Sequence, residues 1–108
     1  MTKIQYTELC GGFALECSGH AGYAKNGDDI VCAGVSALCA ALAEAVDEAA
    51  DEGLTERHMV EESDGYFRAE AYCGEDDYAE RYLGAIFRTV YLGLNAIADA
   101  YPAYAQVD

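Results

Sequence analysis

A chain of 108 residues and 11.6 kDa is enough for one domain. Its 53% hydrophobic content separates it from disordered sequences, and the sequence is read as having no membrane span. Twenty acidic residues against six basic ones give a net charge of −14. That balance speaks against binding a phosphate backbone and favours a basic partner, with solubility as the plainer use of the same charge.

The N-terminal stretch MTKIQYTELC has no apolar signal core, so a cytoplasmic location is expected. The five cysteines, Cys10, Cys17, Cys32, Cys39 and Cys73, are odd in number and contain no CxxC pair. This fits reduced thiols, mostly buried, better than a disulfide framework.

Ile4 and Tyr6 alternate with Lys3, Gln5 and Thr7, and Phe13, Leu15 and Cys17 alternate with Ala14, Glu16 and Ser18. Two alternating runs joined by Gly11-Gly12 predict a β-hairpin over 3–9 and 13–18. His20 falls just past its second strand. The chain from Gly19 to Asp28 is then a loop, broken by Gly19, Gly22 and Gly27.

Val31, Val35, Leu38, Leu42, Val46 and Ala49 form one helical stripe, which predicts a helix over 30–52. Asp28 or Asp29 is its natural N-cap and Gly53 its stop. A second hairpin is predicted over 56–62 and 66–72, turning at Ser63-Asp64-Gly65. Phe67, Ala69 and Ala71 face inward there, and His58 is an exposed strand residue.

A last helix is predicted from about Asp76 to Tyr101, where Pro102 stops it. It has two apolar stripes, Tyr78, Tyr82, Ile86, Val90, Gly93 and Ile97 beside Leu83, Phe87, Tyr91 and Leu94. A face that wide requires a second contact besides the sheet, either the first helix or another subunit. The expected fold is α+β, in the order ββαββα. A four-stranded, mostly antiparallel sheet packs with two helices in a single domain over 1–108.

The chemistry concentrates between His20 and Cys32. A cysteine in the first turn of a helix feels the partial positive charge of unpaired N–H groups, which favours its thiolate. A nearby histidine can take the thiol proton and later protonate a leaving amine. The N–H groups of Cys32 and Ala33 are candidate oxyanion donors. Three other uses of these residues stay open on spacing alone. The first is plain packing. The second is a metal site built from Cys17, His20 and Cys32, which lacks a CxxC or HxxxH pattern. The third is a redox thiol, for which no resolving cysteine lies close in sequence. Cys39, two turns beyond Cys32, reads as core. Ser36 shares the face of Cys32.

Gly19-His20-Ala21, Gly27, Asp29-Ile30-Val31-Cys32-Ala33 and Val35-Ser36-Ala37-Leu38 together resemble the signature of the ribosomal-processing cysteine protease family. The resemblance extends to the ββαββα order, to Asp64-Gly65-Tyr66-Phe67 and to the acidic start of the last helix, so it covers nearly the whole chain. It implies a cytoplasmic homodimer that removes a short N-terminal extension from a large-subunit ribosomal protein, after an aromatic residue and before small and basic ones. By the same resemblance His20 is the catalytic histidine and Cys32 the nucleophile. Asp29 and Ser36 stand near the active site, and the loop with Gly19, Gly22, Tyr23 and Gly27 lies over the substrate groove. No metal, cofactor, membrane or direct nucleic-acid partner is expected. Gly34 departs from the alanine common at its position, and a helical glycine costs on the order of 1 kcal/mol against alanine. A reading of a different class is a ribosome-assembly protein that holds a basic ribosomal-protein tail without cutting it.

Overall fold

The computed structural model describes residues 1–25 and 29–108. Strands β1 (Thr2–Leu9) and β2 (Gly12–Ser18) form the first hairpin, with Ile4 opposite Cys17 and Tyr6 opposite Leu15. Gly11, at φ +75, supplies the backbone angle its tight turn needs. Helix α1 spans Ile30–Asp51, the second hairpin consists of β3 (Arg57–Ser63) and β4 (Tyr66–Tyr72), and helix α2 spans Asp77–Ala100.

The sheet has five strands and not four. Pro102 follows the end of α2 as expected, but the chain then turns and returns as a short β5 (Ala105–Val107). It lies parallel to β1, with Ala105 opposite Thr2 and Val107 opposite Ile4. A strand of three residues is too short to show an alternating pattern, and its partner is distant in the chain. The order is β3-β4-β2-β1-β5, antiparallel except for this edge.

Both helices contribute to a core that includes Ile4, Phe13, Leu15, Cys17, Phe67, Ala69 and Ala71. Phe13 stacks on Phe87 at 5.8 Å and Tyr6 on Tyr91 at 5.1 Å. The alternate strand positions carry a polar ladder. Tyr66 donates to Glu16 at 2.7 Å, Arg68 Nε to Glu70 at 3.2 Å, and Tyr72 to Glu70 at 2.7 Å.

On α1 the buried stripe is Val31, Val35, Cys39, Leu42, Val46 and Ala49. Cys39 takes the place expected for Leu38, which is half-buried. The 22-residue helix has a mean hydropathy of 1.8 over its most apolar window, long and apolar enough to cross a membrane. This differs from the reading of the sequence, where its many alanines did not stand out as an apolar run. One side of α1 is committed to the core, and Glu44, Asp47, Glu48 and Asp51 are exposed.

The wide apolar face of α2 divides between partners. Leu83, Phe87, Val90 and Leu94 are buried, whereas Tyr78 is 65% exposed. The second contact is α1. A methyl group added at Gly34 would stand 3.0 Å from Ile97 Cδ1, and one at Gly93 would stand 3.0 and 3.1 Å from the two Leu38 methyls. Glycine at these positions lets the helices approach closely. Gly34→Ala meets only the end of a half-buried isoleucine, so it should stabilise by up to about 1 kcal/mol through helix propensity. Gly93→Ala meets a branched group at two atoms and should gain less or destabilise. Urea unfolding midpoints of the two variants check this ordering.

Because β2 pairs antiparallel with both β1 and β4, Ser18 stands opposite Lys3 on one side and Tyr66 on the other. The end of β2, the start of β1 and the β3–β4 turn therefore share one end of the sheet.

Candidate active site

Gly19, at φ +91, turns the chain off β2, and its N–H donates to Gly65 O at 2.8 Å. This bond ties the segment before His20 to the β3–β4 turn. The His20 ring leans on that turn, with Nε2 3.7 Å from Asp64 Oδ1. A side chain at Gly65 would stand 2.8 Å from the same nitrogen, so the glycine leaves room for the ring as well as taking φ +72. His58 lies instead beside Asp47 of α1, at 3.9 Å, and does not line the groove described below.

Asp29 is the N-cap of α1, in extended conformation at φ −82 and ψ 99. Its Oδ1 accepts from the Cys32 N–H at 2.9 Å and its Oδ2 from the Tyr23 N–H at 3.0 Å. The Cys32 N–H bond is the largest influence on the Asp29 carboxyl, and together with the Tyr23 N–H bond it outweighs burial and holds the group below its ordinary range. Both oxygens are engaged, so this carboxylate serves the helix and the loop rather than His20. Tyr23 also packs its ring edge-on against Tyr101 at 5.7 Å and Tyr104 at 5.2 Å.

The expected oxyanion donors are not available. The Cys32 N–H is bound by Asp29 Oδ1 and the Ala33 N–H by the Asp29 carbonyl at 3.0 Å. A helix N-terminus that is well capped has already spent these donors. The Ala21 N–H donates to the Cys32 sulfur itself, 3.3 Å away.

His20 and Cys32 line one groove of about 690 Å³. Cys17, Val35, Cys39 and Phe67 are its buried apolar lining, while Asp29, Ser36, Glu62 and Asp64 supply polar groups. Among the described residues, no lysine or arginine lines it. Ser36 is exposed one turn after Cys32. Gly19 and Gly22 line the groove, Tyr23 does not, and Gly27 lies outside the described residues. Among the described residues, no hydrogen bond joins the His20 ring to the Cys32 sulfur, and no group of three or more His, Cys, Asp or Glu is arranged to hold a metal ion. The sequence puts Ala21 in the family signature, Glu62 in a strand and Asp64 in a turn, and gives none of them a part in the chemistry of the site. Asp64 was legible only as a turn residue, and Ala21 acts through its backbone, which no side-chain pattern reveals.

The structure is similar to that of an essential ribosomal processing protease Prp from S. aureus, crystallised with a covalently linked product peptide. The identity is 27% and the TM-score 0.73, covering all of this chain and 98% of the other. The same S. aureus protease with a substrate peptide gives 26% and 0.68 over 100% and 98% of the two chains. A Streptococcus mutans protein gives 25% and 0.71 over 100% and 92%. A search of curated proteins finds no match. The fold and groove are those of a small α+β cysteine protease. More specifically, the chain belongs to the family described as cysteine protease Prp, whose model matches residues 1–106.

Asp29 gives this end of the molecule a pH dependence. Its carboxyl is held low in the folded chain, so its contribution is present above the ordinary aspartate value of about 3.9 and is lost as pH falls through the folded value. Asp29→Ala should lower the urea midpoint at pH 7 more than at pH 3. Asp29→Asn, which keeps an acceptor for the cap, should lose less at pH 7. Equal losses at both pH values for the alanine variant would show that the ionised cap contributes nothing.

Proposed function

We propose that this cysteine protease removes an N-terminal extension from a large-subunit ribosomal protein, with Cys32 as nucleophile and His20 as base and then acid. The observation that carries the assignment is the setting of Cys32. It lies in the first turn of a capped helix, in the groove it shares with His20, with the Ala21 N–H directed at its sulfur. The S. aureus relative is itself a ribosomal processing protease that holds peptides, which supports the substrate class.

In this reading the Cys32 thiolate attacks the scissile carbonyl and His20 delivers a proton to the leaving amine. Water then releases the acyl group, with His20 as base. Asp64 on Nε2 leaves Nδ1 of the ring for the thiol. The ring turns toward Cys32 when peptide fills the groove, since catalytic hydrogen bonds commonly tighten only in the complex. Asp29 and Ser36 support this end of α1. The Asp29, Glu62 and Asp64 carboxylates suit a basic peptide, and the net charge of −14 draws one in. The work belongs in the cytoplasm and needs no cofactor.

The decisive assay is cleavage of a peptide spanning such an extension. Cys32→Ala should abolish turnover and His20→Ala should reduce kcat by roughly 10²–10⁴-fold. Asp64→Asn should reduce kcat/KM by no more than about fivefold, because an exposed ion pair is worth about 1 kcal/mol at most. Full activity of Cys32→Ala would overturn the assignment.

The protein also works as a homodimer in this reading. Tyr78, Ala85 and Leu92 recur along an exposed line of α2, with Leu92 51% exposed. Light scattering at micromolar concentration should give twice the chain mass, and Leu92→Glu should halve it. A wild-type monomer would refute the dimer.

A further inference from the structure

Two sulfurs in the groove have no part in the proposed chemistry. Cys17 faces inward from β2 and Cys39 lies on the buried stripe of α1; they are 4% and 5% exposed. They are distant in sequence, yet their sulfurs are 3.7 Å apart and share a hydrogen bond. Both line the groove that also holds Cys32, so a small solute that enters it reaches them. The other two thiols have different settings: Cys10 is exposed, and the Cys73 thiol donates to Gly11 O at 3.2 Å.

We propose that Cys17 and Cys39 are a redox-modification site, a dithiol that a peroxide oxidises to a disulfide bridging β2 and α1. The Cys39 sulfur attacks one peroxide oxygen. The O–O bond breaks, Cys39 becomes a sulfenic acid, and the departing hydroxide takes up the thiol proton as water. The Cys17 sulfur then attacks the Cys39 sulfur. The S–S bond forms, the S–O bond breaks, and the second hydroxide leaves with the Cys17 proton as a second water. Two electrons pass from the two sulfurs to the peroxide.

The hydrogen bond shared by the two sulfurs holds the Cys39 thiol below its ordinary range, outweighing burial, and pushes the Cys17 thiol up, so Cys39 reacts first. The adjacent Cys17 intercepts the sulfenic acid before it proceeds to the irreversible sulfinic state. Closing 3.7 Å to a disulfide length of about 2.05 Å draws the strand that leads to His20 toward the helix that carries Cys32.

The site rests on the sulfur geometry and is independent of the protease assignment. The full chain with Cys10→Ser, Cys32→Ser and Cys73→Ala retains only these two thiols. One equivalent of hydrogen peroxide should remove both together in a thiol titration, and dithiothreitol should restore both. Trypsin should release the segments 4–25 and 26–57 as one linked species, from a chain that runs at its single-chain mass in denaturing, non-reducing electrophoresis. Survival of both thiols, a link between chains, or sulfinic acid without a link would overturn the proposal. Should that variant fail to fold, the wild-type chain treated alike supplies the same linked pair. Tandem mass spectrometry then assigns its bond, and a bond through Cys10 or Cys32 instead of Cys17–Cys39 would overturn the proposal equally.

Discussion

The groove depends on the antiparallel pairing of β2 with β4. That register sets Ser18 opposite Tyr66, so the exit from β2 and the β3–β4 turn meet at one end of the sheet. His20 leaves the first and leans on the second, and the Gly19–Gly65 hydrogen bond closes the gap between them. A one-residue slip would turn Phe67, Ala69 and Ala71 away from the helices, so burial of that face holds the register and with it the position of His20. Packing and site geometry are one constraint here.

The other side of the groove depends on Asp29. One carboxylate oxygen caps α1 at Cys32 and the other holds the loop at Tyr23, whose ring is in turn seated on Tyr101 and Tyr104. The helix start, the loop and the turn before β5 are therefore linked through one loop tyrosine. The same cap occupies the N–H groups of Cys32 and Ala33. The donor that meets the Cys32 sulfur is the Ala21 N–H, on the other side of the loop. A cysteine at a helix start is favoured as thiolate by the dipole, but which individual donors remain free depends on the cap.

Several features were legible in the residues themselves. Alternation marked four strands because Phe13, Leu15 and Cys17, and Phe67, Ala69 and Ala71, face one side. The 3.6-residue period marked both helices, and Asp29 was recognisable as a cap because only a short acceptor side chain can satisfy the first-turn N–H groups. The candidate pair His20 and Cys32 stood out through the motif around them. By contrast, Asp64 beside His20, Ala21 beside Cys32, and Cys17 beside Cys39 are meetings of residues distant in the chain, or backbone contacts, and leave no periodic trace. Similarly, β5 is a strand only because β1 offers it an edge.

Sequence alone determined the local elements, the caps, the excess of acid and the membership of a protease signature, because each depends on side-chain pattern or local backbone preference. Tertiary structure decided which thiols touch, which carboxylate meets the histidine, which N–H groups remain free, and how α2 divides its apolar face between the sheet and α1. Those outcomes follow from strand register and helix approach, both of which are set by burial across the whole core and not by any one segment.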